Sequence, residues 1–228
     1  FHACAIYVDH TLRCWGLNRF GQLGYGDTLD RGDTLDTLPA VLPPVPLPAG
    51  AKPTHVACGR ETTCIVLDHV SLICFGSGGG GQLGYGNTQN YGSTPSTAPI
   101  ANLTVSLPNE GLIKDVQSAD LRTCVLFVSG KLICWGVGLY GLLGQGPALG
   151  NQDLGRDTWR LPSMVGPITL PPNRTAVAFA MLDSAEHICA VLDSGEVLCW
   201  GRCDFGVFGV GSYSGSAGQY RPVSEAGT

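Results

Sequence analysis

Eight of the ten cysteines fall into four pairs, Cys4 and Cys14, Cys64 and Cys74, Cys124 and Cys134, Cys189 and Cys199, each pair ten residues apart. Their first members follow one another at intervals of 60, 60 and 65 residues. An aromatic-Gly dipeptide comes after every second cysteine: Trp15-Gly16, Phe75-Gly76, Trp135-Gly136 and Trp200-Gly201. Five residues further on stands a Gly-x-x-Gly, at Gly21 and Gly24, Gly81 and Gly84, Gly141 and Gly144, Gly206 and Gly209. A fourfold repeat of this period marks propeller blades or a solenoid, in which each unit buries its apolar face only against its neighbours.

Within a unit the residues between the cysteines alternate around a turn. Cys189-Ala190-Val191-Leu192 leads into Asp193-Ser194-Gly195 and returns through Glu196-Val197-Leu198-Cys199. A three-residue hairpin loop with its Gly left-handed pairs Leu192 with Glu196. Counting outward then sets Cys189 against Cys199, and the turn Val128-Ser129-Gly130 sets Cys124 against Cys134. Directly opposed residues are close enough for a disulfide. His10 and Val70 take the Gly place in the first two units, and Val is poorly suited to positive φ. Four coincident opposed pairs favour disulfides over small buried apolar side chains. A zinc reading fares worse, because zinc ligands favour spacings of roughly two to four residues.

Disulfides in this number imply an oxidising compartment. Two sequons, Asn102-Leu103-Thr104 and Asn173-Arg174-Thr175, agree with export and make Asn102 and Asn173 candidate glycan acceptors. The expectation is a secreted chain, extracellular or at the cell surface. Cys58 and Cys203 break the pattern, and three fates are open to them: a bond to each other, a bond to a segment outside this chain, or no bond.

Composition removes other classes. Charged residues are 14% of the chain and the net charge is −5, against the basic stripe that nucleic-acid binding needs. The most apolar stretch, Leu121 to Gly144, is broken by Lys131, Gly130, Gly136, Gly138 and Gly141, so no membrane insertion is expected. Phe1-His2-Ala3-Cys4 does not read as a signal peptide. With 44% hydrophobic residues a core can be buried, and 33 Gly with 15 Pro fall short of a disordered or collagen-like composition.

The units resemble repeats of the regulator of chromosome condensation family over essentially the whole chain. The stretch Cys14-Trp15-Gly16-Leu17-Asn18-Arg19-Phe20-Gly21-Gln22-Leu23-Gly24-Tyr25-Gly26 is the most typical. The family's upstream Gly-x-x-His is partly kept: His2 and His187 fill the His place, Thr62 and Arg122 replace it; Gly59 keeps the Gly place, Ala119 and Ser184 do not. The resemblance implies an all-β fold, a β-propeller of four-stranded antiparallel blades with a cross-strand disulfide in each. The expected organisation is one propeller region over 1–228, with motifs at 1–26, 56–86, 116–146 and 179–211 and long loops between. Read on into Phe1-His2-Ala3-Cys4, Ala226-Gly227-Thr228 completes one Gly-x-x-His-x-Cys junction. A closed four-repeat ring would explain that, and so would an excerpt of a longer chain, which is the reading favoured here.

No catalytic, cofactor or metal site is expected. His2, His10, His55, His69 and His187 have no nucleophile or carboxylate recurring beside them, and His2 and His187 are expected to bond backbone within their blades. The tryptophans at fixed phase read as packing. Light absorption, which this fold serves in plants, needs a Gly-Trp-Arg-His-Thr motif absent here. Asp27 to Asp36 holds a tandem Gly-Asp-Thr-Leu-Asp whose carboxylates could bind calcium, although a solvated acidic loop fits the spacing better. Arg31-Gly32-Asp33 is an adhesion tripeptide common by chance. The glycine runs 76–81 and 136–146 lack the Gly-Lys-Ser/Thr of a phosphate loop.

The proline-dense connector Leu38 to Pro48 is apolar and uncharged, so it is expected to lie against a neighbouring protein. The expected function is a non-catalytic extracellular structural or protein-interaction module of a cell-surface or filamentous assembly, with other proteins or copies of itself as partners. Crinkly-type plant receptor kinases carry cysteine-bearing propellers of this general kind. The alternatives are a ligand-binding receptor ectodomain or a secreted inhibitor, for which Tyr25, Tyr85, Tyr91, Tyr140 and Trp159 would serve as contacts. The family's founding activity, nucleotide exchange on a small GTPase, belongs to a reducing compartment and ranks below these.

Overall fold

The computed structural model describes residues 1–101, 103–146, 149, 151–181, 186–202, 204, 208 and 216–222, of which Ile100 and 216–222 are described as backbone. Four antiparallel sheets follow one another along the chain, the first a hairpin and the other three meanders. The first pairs β1 (His2–Ile6) with β2 (Leu12–Gly16). The second holds β3 (Pro53–Cys58), β4 (Thr62–Leu67) and β5 (Ser71–Gly76). The third holds β6 (Ile113–Ala119), β7 (Arg122–Phe127) and β8 (Leu132–Gly136). The fourth holds β9 (Ala176–Met181), β10 (His187–Leu192), β11 (Val197–Arg202) and β12 (Ser216–Pro222). In phase, β1 stands where β4, β7 and β10 stand in later repeats.

The register expected from the cysteine spacing is the register found. Cys4 faces Cys14, Cys64 faces Cys74, Cys124 faces Cys134 and Cys189 faces Cys199. Each pair closes a disulfide across Cα atoms 4.1 Å apart. Gly130 and Gly195 take φ of 78° and 86° in their turns, and His10 adopts the same conformation at 62°. At the second turn the left-handed conformation moves to Asp68 and His69, at 52° and 60°. That shift relieves Val70, whose branched Cβ would clash there, and Val70 N–H still donates to Leu67 C=O at 2.9 Å.

The blades are narrower than four strands in three of the four repeats. In those the outermost strand shrinks to a single bridge: Gly16 with Arg31, Gly76 with Tyr91 and Gly136 with Leu154. The three glycines sit at φ of 108°, 107° and 110°, a conformation that ends a ladder, and the connectors beyond are rich in Gly and Pro, which weaken a strand or cannot donate to one.

Those connectors turn back onto their own blades. Val45, Val105 and Ile168 donate N–H groups to Leu12, Leu72 and Leu132 at 2.7, 2.8 and 2.7 Å, and their side chains are buried. The proline-dense segment is therefore covered in part by its own repeat, through Leu42 and Val45, while Leu38 and Val41 stay 39% and 60% exposed. Every residue of β4 and β7 is buried, as strands covered on both faces must be. Trp135, Trp200, Phe75 and Phe127 are the largest side chains fully enclosed.

A Cβ built at Gly21, where φ is +84°, would lie 2.2 Å from the Ser93 nitrogen and 2.3 Å from the Gly92 carbonyl carbon. Gly79 is exposed and has open space around it. We expect Gly21→Ala to lower the unfolding free energy by about 3 kcal/mol, with Gly79→Ala within about 0.5 kcal/mol of wild type, read from denaturant midpoints.

Candidate functional site

Neighbouring repeats are joined at one recurrent place, the residue after the first Gly of each Gly-x-x-Gly. The Gln22 carbonyl accepts from Thr63 Oγ1 of the next repeat at 2.6 Å. The Gln82 carbonyl accepts from Thr123 Oγ1 and Trp135 Nε1, both at 2.9 Å. Leu142 accepts from Trp200 Nε1 at 2.9 Å. The aromatic ring of the following repeat lies over the second Gly of the motif. A Cβ at Gly24 would meet the Phe75 ring at 2.8 Å, and one at Gly84 would meet Trp135 Nε1 at 2.8 Å. The cysteine-aromatic-Gly and Gly-x-x-Gly signatures are thus two halves of one seam.

His2 belongs to this seam. Its Nε2 lies 2.6 Å from Thr63 Oγ1. Thr63 spends its own hydrogen on Gln22, so the imidazole is the donor, protonated at Nε2. The expected bond to backbone within the blade is replaced by one to the next repeat's threonine. Nδ1 is left buried with no hydrogen-bond partner, and burial, helped by the Phe1 ammonium, holds the His2 pKa down to about 4. His187 packs edge-on against Phe208, its ring centre 6.2 Å away. Burial lowers its pKa, and the Arg122 charge adds to that.

Two tyrosines that the sequence offered as contacts turn inward. Tyr85 Oη accepts from Cys74 N–H at 3.0 Å and reaches the Cys74 carbonyl at 2.9 Å and the Leu103 carbonyl at 2.8 Å. Tyr25 does the same for Cys14, at 3.3 Å each way. Cys14 and Cys74 point these backbone groups away from their disulfide partners, towards the edge where a fourth strand would run. In the fourth sheet a strand is there, and Cys199 pairs with Arg221 of β12. Burial raises the pKa of both phenols. Tyr91 packs against Tyr85, ring centres 4.8 Å apart.

The remaining expected residues separate. Cys58 is a free, partly buried thiol. Its sulfur, Cys4 Sγ and an imidazole nitrogen of His2 lie within 4.8 Å of one another. Cys4 is bonded to Cys14, so His2 and Cys58 are the donors left, fewer than the four of a closed zinc site. Cys203 and Asn102 lie outside the described residues. Asn173 is exposed in a turn at φ 60°. In the acidic loop, Asp27 pairs with Arg31 at 2.7 Å, Asp30 accepts from Asn18 N–H at 2.7 Å, and Asp33 from Thr37 Oγ1 at 3.3 Å. These carboxylates brace the connector.

One face carries a cavity of about 590 Å³, lined by Arg60, Glu61, Asp120, Arg122, Tyr140 and Glu186 among others. The turns after β3 and β6 and the segment after β8 build it. Its lining carries charges of both signs: Arg60 and Arg122 each approach Asp120 at 3.9 Å, and Glu186 pairs with Arg202, which stands outside the lining and also pairs with Asp204. The two carboxylates raise the Arg202 pKa, and its guanidinium lies 5.3 Å from the Tyr140 ring centre. Sequence reasoning missed this cavity because its residues come from three repeats and share no motif.

Antiparallel meanders repeated at this period and packed blade on blade define a β-propeller. The pattern described as "Regulator of chromosome condensation (RCC1) repeat" matches residues 9–66. The chain is 27% identical over 212 residues to the Ultraviolet-B receptor UVR8 of Arabidopsis thaliana, covering 92% of this chain and 41% of the receptor. It is 33% identical over 144 residues to Protein RCC2 homolog of Xenopus laevis, covering 63% of this chain and 25% of that protein. Among solved structures, yeast RCC1 (Prp20) bound to Kap60 superposes with a TM-score of 0.71 at 16% identity, over 97% of this chain and 46% of that one. The repeat match over residues 9–66 and these relatives support the RCC1 repeat family, and the chain spans less than half the length of these relatives.

Two predictions follow from the seam and the edge. Tyr85→Phe strips the Cys74 backbone of the hydroxyl that serves it, and we expect a loss of about 2 kcal/mol by chemical denaturation. Tyr25→Phe, with longer bonds and no third carbonyl, should lose less. For His2, the folded pKa of about 4 lies below the unfolded value of 6.5. The unfolded chain takes up that proton first, so stability present above pH 6.5 is lost as pH falls towards 4. A His2→Gln variant, which keeps a donor for Thr63, should flatten that part of the stability profile.

Proposed function

We propose that this chain is a non-catalytic protein-interaction module of an extracellular or cell-surface assembly. The observation that carries the reading is the disulfide in each of the four repeats. Such bonds persist in oxidising compartments and not in cytosol or nucleus. Exposed Asn173 in its sequon is consistent with a glycan acceptor.

The contact chemistry comes from the surface. Trp159 at 83% and Tyr140 at 37% exposure are aromatic side chains on connectors, the residue types that dominate binding energy at protein interfaces. The cavity beside Tyr140, whose lining holds charges of both signs, suits a polypeptide carrying both better than a polyanion. That cavity also favours the second reading, a ligand-binding ectodomain or a secreted inhibitor, in which one ligand or target fills it. Partners in either case are other proteins or further copies of this chain.

A non-reducing peptide map of the native protein tests the compartment. We expect the four within-repeat disulfide links, with sugar on Asn173 and Asn102. Free thiols throughout and bare asparagines would contradict the reading and return nucleotide exchange on a small GTPase to consideration.

A further inference from the structure

Cys58 is the free thiol among the described cysteines, and its surroundings are chemically particular. It ends β3 of the second repeat, opposite Thr63 in register, with its sulfur turned to the first repeat. There it comes within 4.8 Å of Cys4 Sγ, one half of the Cys4–Cys14 disulfide. The Cys4 backbone N–H supports the sulfur's negative form. The position recurs without the thiol: Ser118 occupies it in the third repeat, opposite Thr123.

We propose that Cys58 and the Cys4–Cys14 disulfide form a thiol–disulfide exchange couple across the seam between the first two repeats. The Cys58 thiolate attacks Cys4 Sγ, the Cys58–Cys4 bond forms, the Cys4–Cys14 bond breaks, and Cys14 leaves as a thiolate that takes up the proton Cys58 gave to solvent. Two electrons stay with the sulfur set, so no oxidant or reductant enters. The step converts a staple within one hairpin into a covalent link between repeats. It has no counterpart in the third repeat, where a serine hydroxyl cannot exchange.

Burial holds the Cys58 pKa up at about 11, so the couple rests as thiol near neutrality. The titratable groups on the β1 side are His2, neutral at that pH, and the Phe1 ammonium. From β4 the neighbour is Thr63, and β6 approaches next door at Gly59 through Ser118. The thiolate fraction, and with it the exchange rate, rises about tenfold per pH unit below that pKa.

The test uses the native chain without added thiol, held at pH 7 to 10, quenched in acid, unfolded and labelled with a maleimide before peptide mapping. We expect a Cys4–Cys58 linked peptide and labelled Cys14 to appear together, about tenfold faster per pH unit, and to vanish in Cys58→Ser. A second variant guards against an equilibrium lying far towards Cys4–Cys14: folded Cys14→Ser, oxidised with glutathione disulfide, should carry a Cys4–Cys58 disulfide. The proposal is overturned by Cys14 staying unlabelled at every pH while Cys14→Ser, oxidised in the same way, keeps both Cys4 and Cys58 as free thiols, or by a Cys58–Cys203 link in the native protein.

Discussion

The fold depends on a main-chain carbonyl that each repeat offers to the next. At Gln22, Gln82 and Leu142 this oxygen sits at the centre of a Gly-x-x-Gly turn and receives a threonine hydroxyl, an indole N–H, or both. The turn must bring backbone close to a foreign ring, and only glycine leaves room. A single repeat unit cannot bury its apolar faces alone, so stability here comes from stacking, and the seam is where stacking becomes specific. An unmet buried carbonyl would cost on the order of 1–3 kcal/mol, which makes mispacked registers expensive.

The outer edge of each blade is the second constraint, since an unpaired strand edge invites association. The chain meets it in two chemically different ways. Where the Gly-Tyr-Gly of the first two repeats is present, a phenol hydroxyl serves both backbone groups of the cysteine. In the fourth sheet a strand does so. The tyrosine saves several residues of strand and frees the connector to cross the blade, bury Val45 or Val105, and carry its exposed side chains outward. In the first two sheets the disulfide ties the strand that the tyrosine serves to its neighbour.

Much of this was legible from residue order. Cysteines ten apart around a three-residue loop fix the hairpin register, because strand side chains alternate with a period of two and a slip of one would separate the sulfurs. The aromatic-Gly and Gly-x-x-Gly spacings located the seam but not its bonds: nothing in Thr63 or Thr123 distinguishes them from other strand threonines until the preceding repeat is set against them. The Tyr25 and Tyr85 hydroxyls were misjudged as contacts, although their recurrence at one phase, replaced by Gln145 in the third repeat, was a usable sign of a structural role. The fourth strand was overestimated because a bridge of one residue leaves no alternation to read. The cavity was invisible, being made by turns brought together only by stacking.

Exchange of the indole hydrogens with solvent tests the seam most directly. Trp135 and Trp200 donate to carbonyls of the preceding repeat and are fully buried, whereas Trp15, at the same phase in the first repeat, is half-buried and Trp159 is exposed. Followed by NMR after transfer to heavy water, the indole signals of Trp135 and Trp200 should persist long after those of Trp15 and Trp159 have gone. Equal, rapid loss of all four would contradict a fold built on these seams.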